Sequence, residues 1–179
     1  MPSIDLNIIG VAFNPVAKAY KPEMKATVDE VGKIFGTVGL TLNTVTFYRI
    51  RAKDAGARAV ISNFAEAVDL TQEWSGIATS GINVFVVRQH VIGTYGTSPE
   101  PKQCTGDDKE QLGAVVELNP ELTGTITAHE IGHYLGLSHL PDEPDNLMHP
   151  TVPNGRKLTT DQFEKMARHC AVTSPALEP

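Results

Sequence analysis

Histidines at 129, 133 and 139, a glutamate at 130 and a glycine at 136 restrict the folds open to this chain more than any other feature of its 179 residues. Residues four apart on an α-helix stand one turn above each other on one face, so His129 and His133 on a helix direct ring nitrogens to a common point. Gly136 provides the stop: a residue that tolerates positive φ ends the helix, turns the chain sharply and brings His139 back from below. Three neutral imidazoles converging on one point suit a zinc ion and leave its fourth tetrahedral position open, as in a catalytic rather than a structural site. Glu130 is too far round the helix to join that ligand pair, yet it reaches a water in the open position, where a general base is needed.

Downstream, Asp145-Asn146-Leu147-Met148-His149-Pro150 places a methionine nine residues beyond His139. Together the two segments resemble the metzincin family of zinc peptidases, whose signature joins the long zinc-helix motif to a tight methionine-containing turn beneath the metal. His129, His133 and His139 match the family's zinc ligands, Glu130 its general base, Gly136 its hinge and Met148 its turn methionine. The resemblance looks nearest to the matrix metalloproteinase and pappalysin branches. It departs from the first, because Pro150 is followed by Thr151 and Val152 instead of a Pro-x-Tyr segment, and because no second zinc or calcium sites are evident before the helix. It departs from the astacins in lacking any tyrosine after Tyr134.

What the resemblance implies is a zinc-dependent endopeptidase in which a zinc-bound water attacks the peptide carbonyl, with Glu130 taking its proton and passing it to the leaving amine. An extended protein or peptide substrate would add itself to a glycine-rich edge strand at 91–98, making Gly93, Thr94, Tyr95 and Gly96 candidate substrate-binding residues. Pro150, within a segment at 149–158, would wall the opposite side, where His149 is either a substrate contact or a turn residue. Two other readings stay open. One is a non-catalytic zinc domain that binds peptides, against which the retained Glu130 counts; the other is a zinc hydrolase acting on a non-peptide amide or as an effector toxin.

The remaining chemistry is less specific. Asp142, Glu143 and Asp145 offer carboxylates for calcium, but without calcium-loop spacing they read as a solvated acidic loop. Cys104 and Cys170 are either bridged or free thiols, and export would favour the bridge. Cys104, inside the domain, is not expected to act as a latency cysteine. His90 and His169 read as ordinary surface or hydrogen-bonded residues. A net charge of −6 with no basic run argues against nucleic acid or an anionic membrane as partner. No apolar stretch has bilayer-spanning length. The N-terminus lacks a secretory signal pattern, which leaves either a cytosolic chain or a mature secreted form with an added methionine, and the resemblance favours the second.

With 41% apolar residues the chain suits one domain over 1–179, expected as a monomer, with an upper subdomain at 1–136 and a lower one at 137–179. Alternation predicts a strand at 4–13, a high density of Thr and Val one at 40–50, and a continuous apolar run an interior strand at 82–87, with further strands read at 91–98 and 113–118. Three- and four-residue apolar steps predict helices at 21–38, at 123–136 and at 159–169, the last with a Thr159–Gln162 capping box. Residues 51–76 are ambiguous, with a helix at 55–68 weakened by Gly56 or a surface excursion. This order predicts an α+β fold. By the resemblance, that fold is a twisted mixed sheet with an active-site helix and a backing helix above a cleft, and a small irregular C-terminal part ending in a helix.

Overall fold

Runs of branched apolar residues build the centre of a five-stranded sheet. The computed structural model describes residues 1–13, 20–91, 95–98, 112–151 and 155–174. Strands β1 (Ser3–Val11), β2 (Thr41–Ile50), β4 (Ile82–Val87), β6 (Gly96–Thr97) and β7 (Ala114–Glu117) lie in the order β2-β1-β4-β7-β6. All neighbouring pairs are parallel except β6–β7, which is antiparallel and places β6 at one edge. Every residue of β4 is buried, as the continuous Ile-Asn-Val-Phe-Val-Val run requires of a strand covered on both faces.

The cover on one face comes from α1 (Tyr20–Gly36) and α4 (Thr123–Tyr134), whose Met24, Val31, Ile34, Phe35, Ile126 and Ile131 meet Leu6, Ile8, Val84, Val86 and Val116. On the other, Ala55, Ala67 and Leu70 from α2 (Ala52–Ala55) and α3 (Phe64–Glu73) meet Ile9, Val11, Phe85, Val87 and Val115. At the α1–α4 crossing, a Cβ added to Gly124 would come within 2.7 Å of Glu30 Cβ, so the glycine admits the close approach that seats α4 on the sheet.

The described residues beyond α4 are mostly irregular until α5 (Thr160–Ala167), where Thr159 and Gln162 form the predicted capping box. Leu137, Leu147, Met148, Met166 and Val172 from this part join the same core as α1 and α4. Ser3 and Thr173 exchange two backbone hydrogen bonds of 2.9 and 2.8 Å, tying the end of the chain to its first strand.

Two expectations change. A single helix at 55–68 does not form: Gly56 takes φ +58°, breaking the helix after Ala55, and a short β3 (Val60–Ile61) pairs with β5 (Gln89–His90) before α3 starts at its Asn63 cap. The edge strand expected over 91–98 is paired only at Gly96–Thr97, with 92–94 outside the described residues. No helix among the described residues is long and apolar enough to cross a membrane.

Candidate metal centre

Helix α4 ends one residue after His133, and the reason is local. Gly136 adopts φ +96°, its N–H donates to the His133 carbonyl at 2.8 Å, and the Leu137 N–H reaches back to the Gly132 carbonyl at 2.9 Å. This left-handed stop satisfies the last helical carbonyls while reversing the chain. His139 then arrives opposite the helix. Its Nε2 lies 3.2 Å from that of His129 and 3.0 Å from that of His133, and the latter two are 3.0 Å apart.

Three nitrogens at these distances would ordinarily suggest hydrogen bonds, but the far sides of the rings argue otherwise. His129 Nδ1 stands 2.7 Å from the Leu147 carbonyl and His133 Nδ1 2.9 Å from the Leu137 carbonyl. A carbonyl only accepts, so each Nδ1 carries the ring proton and each Nε2 presents a lone pair toward the centre. Lone pairs facing each other repel unless a cation lies between them. Ligands bound tetrahedrally at 2.0–2.1 Å stand about 3.3 Å apart, close to the triangle seen here, so the donor set fits a zinc ion. Among the described residues this is the only group of three or more such donors close enough to share an ion. His129 is buried, His133 half-buried and His139 exposed, so the centre opens to solvent on the His139 side.

The electrostatics point the same way. Burial lowers His129 to about 4, opposed by its bond to Leu147 and assisted by His133 and His139. Burial alone raises Glu130, 6% exposed, from an ordinary 4.5 to about 8. Both groups are driven toward their neutral forms, and a divalent cation beside them reverses that tendency for the carboxyl.

The other candidates are placed unevenly. Met148 is fully buried in a turn, its Sδ 2.7 Å from where a Cβ on Gly132 would stand, so it packs directly against α4 at Gly132. On β6, a Cβ at Gly96 would come within 2.8 Å of Glu130 Oε1, which sets the edge strand against the carboxyl. The neighbouring Tyr95 is partly exposed, and its carbonyl accepts from the Glu117 N–H at 2.8 Å. Gly93 and Thr94 lie outside the described residues, while Pro150 is exposed. His149 accepts from the Thr151 N–H at 3.2 Å, as a turn residue does.

Asp145 pairs with Lys157 at 2.8 Å, and this hydrogen-bonded partner lowers its carboxyl from the usual range. Asp142 and Glu143 are exposed. His90 is buried, not at the surface, and His169 stacks obliquely on Tyr134 with ring centres 5.6 Å apart. Cys170 is disulfide-bonded; Cys104 lies outside the described residues. Sequence reading passed over Gly132, although a glycine inside a helix costs roughly 1 kcal/mol against alanine and so signals a close neighbour. It also passed over Asn146, a buried polar side chain with no motif of its own.

The matrixin peptidase family profile matches residues 107–168. No curated protein sequence matches the chain. Among solved structures, metalloproteinase-II from Bacteroides fragilis superposes with a TM-score of 0.66 at 15% identity, covering 92% of this chain and 52% of the other. This chain therefore spans about half the length of that protein. Archaemetzincin from Methanopyrus kandleri superposes with a TM-score of 0.58 at 14% identity, covering 92% of this chain and 94% of the other. At such identities the likeness is one of fold. The matched segment carries all three converging imidazoles, so the profile and the likeness in fold meet at the same site.

Proposed function

We propose that the protein is an endopeptidase that cleaves within extended polypeptide chains, with His129, His133 and His139 holding one zinc ion and Glu130 serving as general base and acid. The single observation that carries this reading is the contact between β6 and Glu130: a glycine at the sheet edge lets the strand lie directly against the carboxyl. A peptide pairing with the outer side of β6 would run past Glu130 and the three imidazoles. Tyr95 and Gly96, with Gly93 and Thr94, then act as the backbone rail for substrate, and Pro150 belongs to the opposite wall.

When bound, zinc supplies Lewis acidity that polarises the scissile carbonyl and makes a water more acidic. Glu130 takes a proton from that water on a carboxylate oxygen and delivers it to the departing nitrogen. One C–O bond forms, one C–N bond breaks, and the carboxylate is regenerated. Met148 forms the apolar floor below the imidazoles, in the role of the family's turn methionine. The disulfide at Cys170 supports export to an oxidising compartment.

Incubation with a denatured protein tests the reading. Internal cleavage seen by mass spectrometry, lost on chelation and in Glu130→Ala, is the expected result. Release of terminal residues only, or hydrolysis that survives Glu130→Ala, would contradict it.

A further inference from the structure

We infer that Asn146 and Gln162 are positioning residues for the metal centre: a reciprocal side-chain amide pair that fixes the Leu147–Met148 peptide and, through it, the ring of His129. The inference rests on the triad holding zinc, and not on what the site then cleaves. Asn146 Nδ2 donates to Gln162 Oε1 at 3.1 Å, and Gln162 Nε2 donates back to Asn146 Oδ1 at 3.0 Å. Asn146 is 2% exposed and Gln162 8%, so both amides were stripped of water to make this pair.

What the pair grips gives it a role. Asn146 Oδ1 also accepts the Met148 N–H at 2.9 Å, and the carbonyl of that same peptide group, Leu147 O, takes the Nδ1 proton of His129 at 2.7 Å. A trans peptide is a rigid plane with N–H and C=O pointing opposite ways, so fixing the N–H end fixes the direction of the carbonyl. The relay runs from Gln162 Nε2 to Asn146 Oδ1, across one peptide, to His129, and each bond polarises the next. It closes in one sense only, because a flipped Asn146 would set its NH₂ against the Met148 N–H.

Gln162 connects this relay to α5. Its Oε1 accepts from the Thr159 N–H at 2.9 Å while its own N–H is held by Thr159 Oγ1 at 3.2 Å, so the residue that caps the helix also orients the turn that holds the His129 ring. A capping box needs only an acceptor at this position, which glutamate supplies as well as glutamine. The donor to Asn146 is the part that glutamine alone provides.

That difference defines the test. Gln162→Glu keeps the cap and loses the donor, whereas Thr159→Ala weakens the cap and leaves the amide pair in place. Zinc affinity is measured on the whole chain by competition with a chromophoric chelator, and ligand geometry by the visible spectrum of the cobalt(II)-loaded protein. Gln162→Glu is expected to weaken zinc binding by about tenfold or more and to shift the cobalt bands. Thr159→Ala is expected to lower Tm with zinc affinity and spectrum unchanged. If Gln162→Glu does not fold, Gln162→Met is compared with Thr159→Ala in its place. In the parent, without any substitution, the Met148 amide proton should exchange slowly with solvent. Unchanged zinc affinity and cobalt spectrum in a folded Gln162 variant overturn the inference, as does fast exchange at Met148. If the parent itself fails to bind zinc, the reading of the triad fails instead.

Discussion

Gly132 and Met148 should be strongly coupled in stability, because one occupies the space that a side chain on the other would need. A Cβ at Gly132 would stand 2.7 Å from Met148 Sδ, about 1 Å inside normal contact. Overpacking of this kind costs about 1–3 kcal/mol, while alanine improves a helix interior by about 1 kcal/mol over glycine, so Gly132→Ala should cost roughly 0–2 kcal/mol. Met148 is fully buried, and Met148→Ala should cost about 2–5 kcal/mol through lost transfer energy and the cavity left behind. In the double variant the new methyl enters the vacated volume: the clash vanishes and part of the cavity is filled. The combined cost should therefore fall short of the sum of the single costs by about 1–3 kcal/mol. Urea unfolding of all four proteins at one fixed metal concentration measures this, since bound metal adds its own stabilisation. Additivity within about 0.5 kcal/mol would refute direct packing of Met148 under α4.

The metal-free protein should lose stability as pH rises from 6.5 to 8. Glu130, raised from 4.5 to about 8, keeps in the folded state a proton that the unfolded chain releases, so folding weakens through that window. His129, lowered from 6.5 to about 4, acts in the opposite sense but only below 6.5. From 6.5 to 8 the Glu130 proton contributes a loss of about 2 kcal/mol, or roughly 4–8 °C in Tm. Calorimetry in excess chelator should show this slope in the parent and not in Glu130→Gln; a flat parent profile would contradict it. Gly96→Ala should lower kcat on the order of 10- to 100-fold, because its Cβ meets Glu130 Oε1 at 2.8 Å, while zinc affinity stays that of the parent. A variant with unchanged kcat would show that β6 does not constrain the carboxyl.

The convergence of the three histidines was legible because its parts are local: His129 and His133 follow helical spacing, and Gly136 announces the reversal that returns His139. Long periodic elements, β1, α1 and β2, were legible for the same reason. Where several short elements follow one another, local pattern loses its hold. Residues 51–76 stay ambiguous by pattern, between a weak helix at 55–68 and a surface excursion, and the positive-φ Gly56 and the Asn63 cap divide them into α2, β3 and α3. The edge strand expected at 91–98 is paired, among the described residues, only at Gly96–Thr97, since alternation reveals neither the partner strand nor where it ends. Hardest to see were contacts joining distant residues. Asn146 and Gln162 lie 16 residues apart, and neither shows its partner in the local pattern.

X-ray absorption at the zinc edge of the purified, zinc-titrated protein reads out the atoms that hold the ion. One ion per chain, with three imidazole nitrogens at about 2.0–2.1 Å and one lighter oxygen ligand, is the predicted result. A sulfur ligand, fewer than three imidazoles, or an unchanged spectrum in His139→Ala would contradict it.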